Sequence, residues 1–80
     1  MFSPEFKIAI MKEVFKDGDW GSMHDAILEA TDKSYSEIEI KSMFMELPET
    51  IQADALKWGL GDTEVGDNIY THFEKVKDNG

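Results

Sequence analysis

Apolar residues recur at helical spacing in five short segments, which are separated by Gly, Pro, Asp and Ser. The first segment begins at Ser3-Pro4, because serine can accept hydrogen bonds from free helix amides and proline fits the first helical position. It ends at Asp17-Gly18, where the glycine can adopt the left-handed conformation that closes many helices. Phe6, Ile10 and Val14 share one side of this helix, which we expect to face the core.

The second segment has apolar residues on one helical stripe. Ser22 is predicted to cap this helix, and Asp25 is predicted to lie in its first turn, where the helix dipole favours a negative charge. The stripe consists of Met23, Ala26, Ile27 and Ala30.

The third segment allows two interpretations. Residues 37–41 alternate between polar and apolar side chains, as in a half-exposed strand. However, Ser36 and Glu39 have the spacing of a capping box, and Tyr35 and Ile40 have the spacing of a hydrophobic staple. We favour the helix, in which Ile38 is expected to be exposed.

Pro48 separates the third segment from two further helices. The fourth is expected to bury one face, and the fifth has the longest apolar stripe and a cap at Asp62 or Thr63. The predicted inner positions are Leu47, Ile51, Ala55 and Trp58 in the fourth helix and Val65, Ile69, Phe73 and Val76 in the fifth.

Together the segments predict an all-α fold, a compact bundle of four to five short helices in one domain spanning residues 1–80. The stretch from Ile51 to Tyr70 resembles a helix-turn-helix, with Ala55 as the small contact residue and Gly59 as the turn glycine. Apolar residues occupy further positions of that pattern, namely Trp58, Leu60 and Val65. Asp54 and Asn68 depart from it, although Ile69 can substitute for the second. The resemblance implies that the last two helices form a helix-turn-helix-like pair.

The charge of the chain opposes DNA binding by this pair. The protein has 80 residues with 17 acidic residues against eight lysines, no arginine and a net charge of −9. Residues 17–40 are the most acidic, with seven acids and one lysine. A DNA-reading helix would present Asp62, Glu64 and Asp67 to the bases, where phosphate and guanine contacts need cations. Direct nucleic-acid binding is therefore not expected.

The residues that several catalytic and metal-binding functions require are absent from the sequence. Cysteine is absent, and the chain contains neither an HExxH motif nor a phosphate-binding glycine loop. A calcium loop beginning at Asp17 fails, because Ser22 stands at the sixth position and Leu28 at the twelfth. We expect no enzyme activity, cofactor or metal. The lack of cysteine and of an apolar run long enough to span a membrane favours a cytoplasmic protein without membrane contact.

A small acidic chain without catalytic motifs resembles the accessory proteins of tailed phages. These include DNA mimics and inhibitors of host defence, such as anti-CRISPR and anti-restriction proteins, and the resemblance rests on size, charge and lack of chemistry. It implies an inhibitor or nucleic-acid mimic that binds the basic surface of a nucleic-acid-binding protein. The expected contact residues are Asp17, Asp19, Trp20, Asp25, Glu29, Asp32, Glu37, Glu39, Asp62, Glu64 and Asp67.

Three alternatives remain open at this point. Acidity can serve solubility alone. The chain can be a helix-turn-helix DNA-binding regulator, or a structural protein that forms homo-oligomers through surplus apolar residues (Ile8, Ile38 and Met45).

Overall fold

The computed structural model describes residues 2–16 and 18–79, and the side chains within them up to Lys77. All regular structure in these residues is helical, which confirms the all-α prediction. The five helices are α1 (Pro4–Phe15), α2 (Gly21–Thr31), α3 (Glu37–Met45), α4 (Glu49–Trp58) and α5 (Thr63–Asn79). No helix among the described residues combines the length and apolar character needed to cross a membrane.

Three of the predicted caps are confirmed. Ser3 Oγ accepts a hydrogen bond from the Phe6 amide at 3.1 Å at the start of α1. Ser36 and Glu39 form the reciprocal capping box of α3, with both hydrogen bonds at 3.2 Å. Residues 37–41 are therefore helical, and Ile38 is 80% exposed as expected. Asp62 caps α5, since its Oδ1 accepts from the amides of the second and third helical residues.

The start of α2 was predicted wrongly. The helix begins at Gly21 with Trp20 as its N-cap, which makes no side-chain capping bond, so Ser22 already lies inside the first turn and Asp25 lies beyond it. Trp20 packs against the core and its carbonyl accepts from the His24 amide at 3.1 Å. Because Trp20 is held against the core, the helix begins at Gly21, and Ser22 lies too far inside it to act as its cap.

The core lies around α2 and α5, which pack along each other. The α2 stripe is buried as predicted, and Val65, Ile69 and Phe73 of α5 are buried opposite it. Helix α1 packs against α3 and α4, and closes the core with Ile10 and Phe15. The outer parts of the predicted α1 and α5 stripes extend past this core, because Phe6 is 45% and Val76 is 52% exposed.

Helices α2 and α5 run in the same direction. Ser22, near the start of α2, lies beside Gly66, near the start of α5. Thr31, at the end of α2, shares a surface hollow with Phe73, farther along α5. Residues at equivalent positions along the two helices are consequently neighbours, although they are distant in the sequence.

Helices α4 and α5 form the expected pair around a short glycine-containing turn. Gly59 has φ 91°, Ala55 is fully buried, and Leu60 and Val65 are each 1% exposed. Trp58, however, is 59% exposed, so its assignment to the core was wrong. The chain turns at Gly59 immediately after Trp58, and Leu60 fills the space under the turn instead.

The inner face of α4 also contains an unexpected polar residue. Gln52 is fully buried, and its Nε2 donates to the carbonyls of Phe44 at 2.9 Å, Met45 at 3.2 Å and Leu47 at 3.2 Å. These carbonyls belong to the end of α3 and the turn after it. One side-chain amide thus fixes α4 to the preceding helix end.

Candidate functional site

An open groove of about 400 Å³ separates the exposed edges of α2 and α5. Its charged lining residues are all carboxylates, and no lysine of the described chain lines it. The lining consists of Ser22, Asp25, Ala26, Glu29, Asp62, Thr63, Gly66, Asp67 and Tyr70.

The spacing of residues within each helix explains this lining. In α2, Ser22, Asp25 and Glu29 lie three or four residues apart, so they form one edge beside the buried stripe. In α5, Gly66 and Tyr70 are also four residues apart and lie beside Val65 and Ile69. Parallel packing of the two stripes therefore brings the two acidic edges together.

Small residues keep the floor of the groove open. Gly66 of α5 faces Ser22 of α2, and a Cβ atom at Gly66 would lie 4.0 Å from the Ser22 Cβ. Ala26 lies one residue farther along α2 than Asp25 and is buried beneath the groove. Larger side chains at these positions would fill the space between the carboxylates.

Tyr70 closes one end of the groove and lies near carboxylates of both helices. The pKa of its phenol is raised, first by the hydrogen bond to Glu74 and the charge of that carboxylate, then by burial, and finally by the charge of Glu29. Carboxylates from both helices therefore act on one phenol. Ionisation of this phenol is therefore disfavoured.

Asp62 also borders a second cavity, of about 560 Å³, between α1 and the turn that joins α4 to α5. Asp19 lies at this boundary, because a Cβ atom at Gly61 would approach its Oδ2 to 2.5 Å. Trp58 and Leu56 are the exposed apolar residues of the cavity. The groove and the cavity thus adjoin at Asp62.

The structure brings part of the predicted contact set together. Asp25, Glu29, Asp62 and Asp67 line the groove, and Asp19 lies at its boundary with the second cavity. Asp17 lies outside the described residues.

The other predicted contact residues do not line the groove. Asp32 closes α2 in the left-handed conformation, with φ 59°. Glu37 pairs with Lys41 at 3.4 Å, and Glu39 belongs to the capping box. Glu64 is exposed in the first turn of α5, whereas Trp20 is half-buried against the core.

Sequence reasoning missed five lining residues: Ser22, Ala26, Thr63, Gly66 and Tyr70. Their signal is the three- and four-residue spacing from the acids on each helix. That spacing identifies the edge of each helix, but the pairing of α2 with α5 is needed to join the two edges.

The groove acids are not arranged as a metal site. In the described ranges no three His, Asp or Glu side chains are close enough together to hold an ion. Comparison with protein-family models, curated proteins and solved structures finds no match to the chain. The function therefore has to be inferred from the geometry and charge of the two cavities.

Proposed function

We propose that this protein binds a basic segment of another protein through the groove between α2 and α5. The supporting observation is that carboxylates from two distant parts of the sequence line one groove without a lysine among them. Asp25, Glu29 and Asp67 have no ion-pair partner within the described part of the chain. Their charge is consequently available to a cationic ligand.

The size of the groove favours cationic side chains as its occupants. Asp25 and Glu29 are one helical turn apart, about 6 Å along the axis at a rise of about 1.5 Å per residue. Lysines or arginines spaced by one turn on a partner can match them with charge-assisted hydrogen bonds. A volume of about 400 Å³ can hold a few long side chains, whereas a folded element would have to lie above it.

In its more specific form, the proposal is that the protein inhibits a nucleic-acid-binding protein by mimicking the phosphate backbone. Such proteins carry a basic patch that contacts phosphates and attracts other anions. Self-association through the groove is disfavoured, since each copy has a net charge of −9. Direct DNA reading is disfavoured too, because the start of α5 packs against α2 and carries three acids, Asp62 as its cap and Glu64 and Asp67 in its first turns.

A charge-position experiment tests the proposal. The probe is an eight-residue peptide of alternating lysine and alanine, and its affinity is measured by isothermal titration calorimetry at several salt concentrations. The groove variant Asp25→Asn, Glu29→Gln, Asp67→Asn is compared with the control Glu5→Gln, Asp32→Asn, Glu46→Gln, which changes three exposed acids that line neither the groove nor the second cavity. Both variants lose three negative charges, so a difference between them reports position and not net charge.

We expect the groove variant to bind the peptide about tenfold more weakly than wild type, because three exposed pairs contribute roughly 0.2–1 kcal/mol each. The control should lose less than about threefold, and binding should weaken as salt rises. Equal losses in the two variants would reject the groove as the contact surface.

The nucleic-acid-mimic form makes a separate prediction. The protein should compete with duplex DNA for the same peptide and should not retard duplex DNA in a gel at any salt concentration. Retardation that weakens with salt would instead support the DNA-binding regulator.

A further inference from the structure

The second cavity presents an exposed tryptophan to solvent. Trp58 is 59% exposed and Leu56 is 41% exposed, at the end of a helix whose inner face is already filled by Gln52 and Ala55. Trp58 therefore contributes little to the core. Tryptophan is enriched among the residues that dominate binding energy at protein interfaces.

The charges around Trp58 determine what it can accept. The ammonium of Lys57 lies over the Trp58 ring, 4.8 Å from the ring centroid, and already makes a cation–π contact with the indole. Lys16 also lines the cavity, but its ammonium pairs there with the carboxylate of Glu13. A second cation directly over the indole would be repelled by Lys57, so beside Trp58 an apolar side chain is the better occupant, whereas cations are favoured near Asp19 and Asp62.

The position of the cavity indicates where that side chain comes from. Asp62 lines both the cavity and the groove, and Asp19 lies against the same turn. A segment whose lysines occupy the groove can therefore reach the cavity beside Trp58 by passing Asp62. A second copy of this chain is a poor occupant, since its charge of −9 would face the carboxylates at this boundary.

We propose that the cavity binds one apolar side chain, adjacent to the cations, on the same basic segment of the partner. The inference rests on the proposed function and specifies its ligand as a bipartite motif of cations next to an apolar anchor. Asp19 and Asp62 hold the cationic part at the boundary, and Trp58 with Leu56 covers the apolar part.

The test uses the full chain and three peptides. The first is the lysine–alanine peptide described above, and the other two each have a leucine added at one end. For wild type, we expect one leucine peptide to bind about tenfold more tightly than the parent peptide, which corresponds to about 1.4 kcal/mol. In Trp58→Ala this ratio should fall below about twofold.

Ile38→Ala is the matched control, because Ile38 is an 80% exposed apolar residue on α3 that lines neither cavity. It should retain the tenfold ratio. The indole N–H signal of Trp58 in the NMR spectrum should also shift more with the tighter leucine peptide than with the parent. Circular dichroism and the urea midpoint establish that both variants are folded.

The outcomes separate the two proposals. If the parent peptide binds through the groove but neither leucine peptide binds more tightly, the anchor inference is overturned and the groove proposal survives. A leucine advantage that persists in Trp58→Ala overturns the inference as well. If no peptide binds wild type, both proposals fail.

Discussion

The substitution Gly66→Ala tests the geometry of the groove floor. Gly66 is the fourth residue of α5, and its backbone does not require the positive φ that would favour glycine. An added Cβ atom would meet the Ser22 Cβ at 4.0 Å, which is an ordinary van der Waals contact. The methyl group therefore fits without displacing α2.

The expected effect is an increase in stability. Alanine is about 0.8–1.0 kcal/mol more favourable than glycine inside a helix, and somewhat less near an end. The new contact with Ser22 adds a small amount of apolar burial. We expect the free energy of unfolding to rise by about 0.5–1 kcal/mol, and the melting temperature by about 4 °C for a domain of this size.

Urea and thermal unfolding followed by circular dichroism measure this change. Gly59→Ala serves as the control, because the same chemical change there meets φ 91° and should lower stability by about 1 kcal/mol or more. If Gly66→Ala leaves stability unchanged or lowers it, the two helices are closer than described, and the groove between them is too narrow for its proposed ligand.

Three further predictions concern the core, a cap and a titration. Gln52→Met should destabilise the fold by about 2 kcal/mol in urea unfolding, because buried carbonyls lose their shared donor; a loss under about 0.5 kcal/mol would contradict this. Ser36→Ala should cost about 1 kcal/mol in the same assay, whereas Ser42→Ala, on an exposed face of α3, should cost much less. In a Tyr35→Phe background, in which Tyr70 is the remaining tyrosine, absorbance titration should give Tyr70 a pKa above 10, and adding Glu74→Gln should lower that pKa. Because the pKa of Tyr70 is higher in the folded than in the unfolded protein, the free energy of unfolding should decline as pH rises above about 10.

The local part of the fold could be predicted from the sequence. Ser3-Pro4 and the Ser36–Glu39 pair fix helix starts through contacts between near neighbours, and these contacts are visible in the sequence. The burial of all four residues of the α2 stripe was predicted correctly, since they share the face of α2 that packs against α5. The orientation of Trp58 could not be predicted, because it depends on the direction in which the chain leaves Gly59.

The candidate site, too, could be predicted only in its local part. Asp25 and Glu29 could be identified as acidic surface residues, but their proximity to Asp62 and Asp67 depends on the parallel packing of α2 and α5. Gln52 is the opposite case, since a polar residue is expected at the surface, and its burial is explained only by the hydrogen bonds that its amide donates to carbonyls of the preceding helix end. Glu39 is less available to a partner than the other acids, because one oxygen of its carboxylate accepts the Ser36 amide in the capping box.

Whether the acidity serves solubility or binding can be argued from Glu29. Asp62 and Glu64 lie at the start of α5, where the helix dipole stabilises negative charge, so helix stability alone can account for them. Glu29 instead lies in the last turns of α2, where the dipole favours a cation, and that end of the helix has no lysine within it. Its charge also raises the pKa of Tyr70 across the groove. A carboxylate needed only for solubility could stand at many exposed positions without this unfavourable interaction with the helix dipole, so the location of Glu29 favours a role in binding a cation.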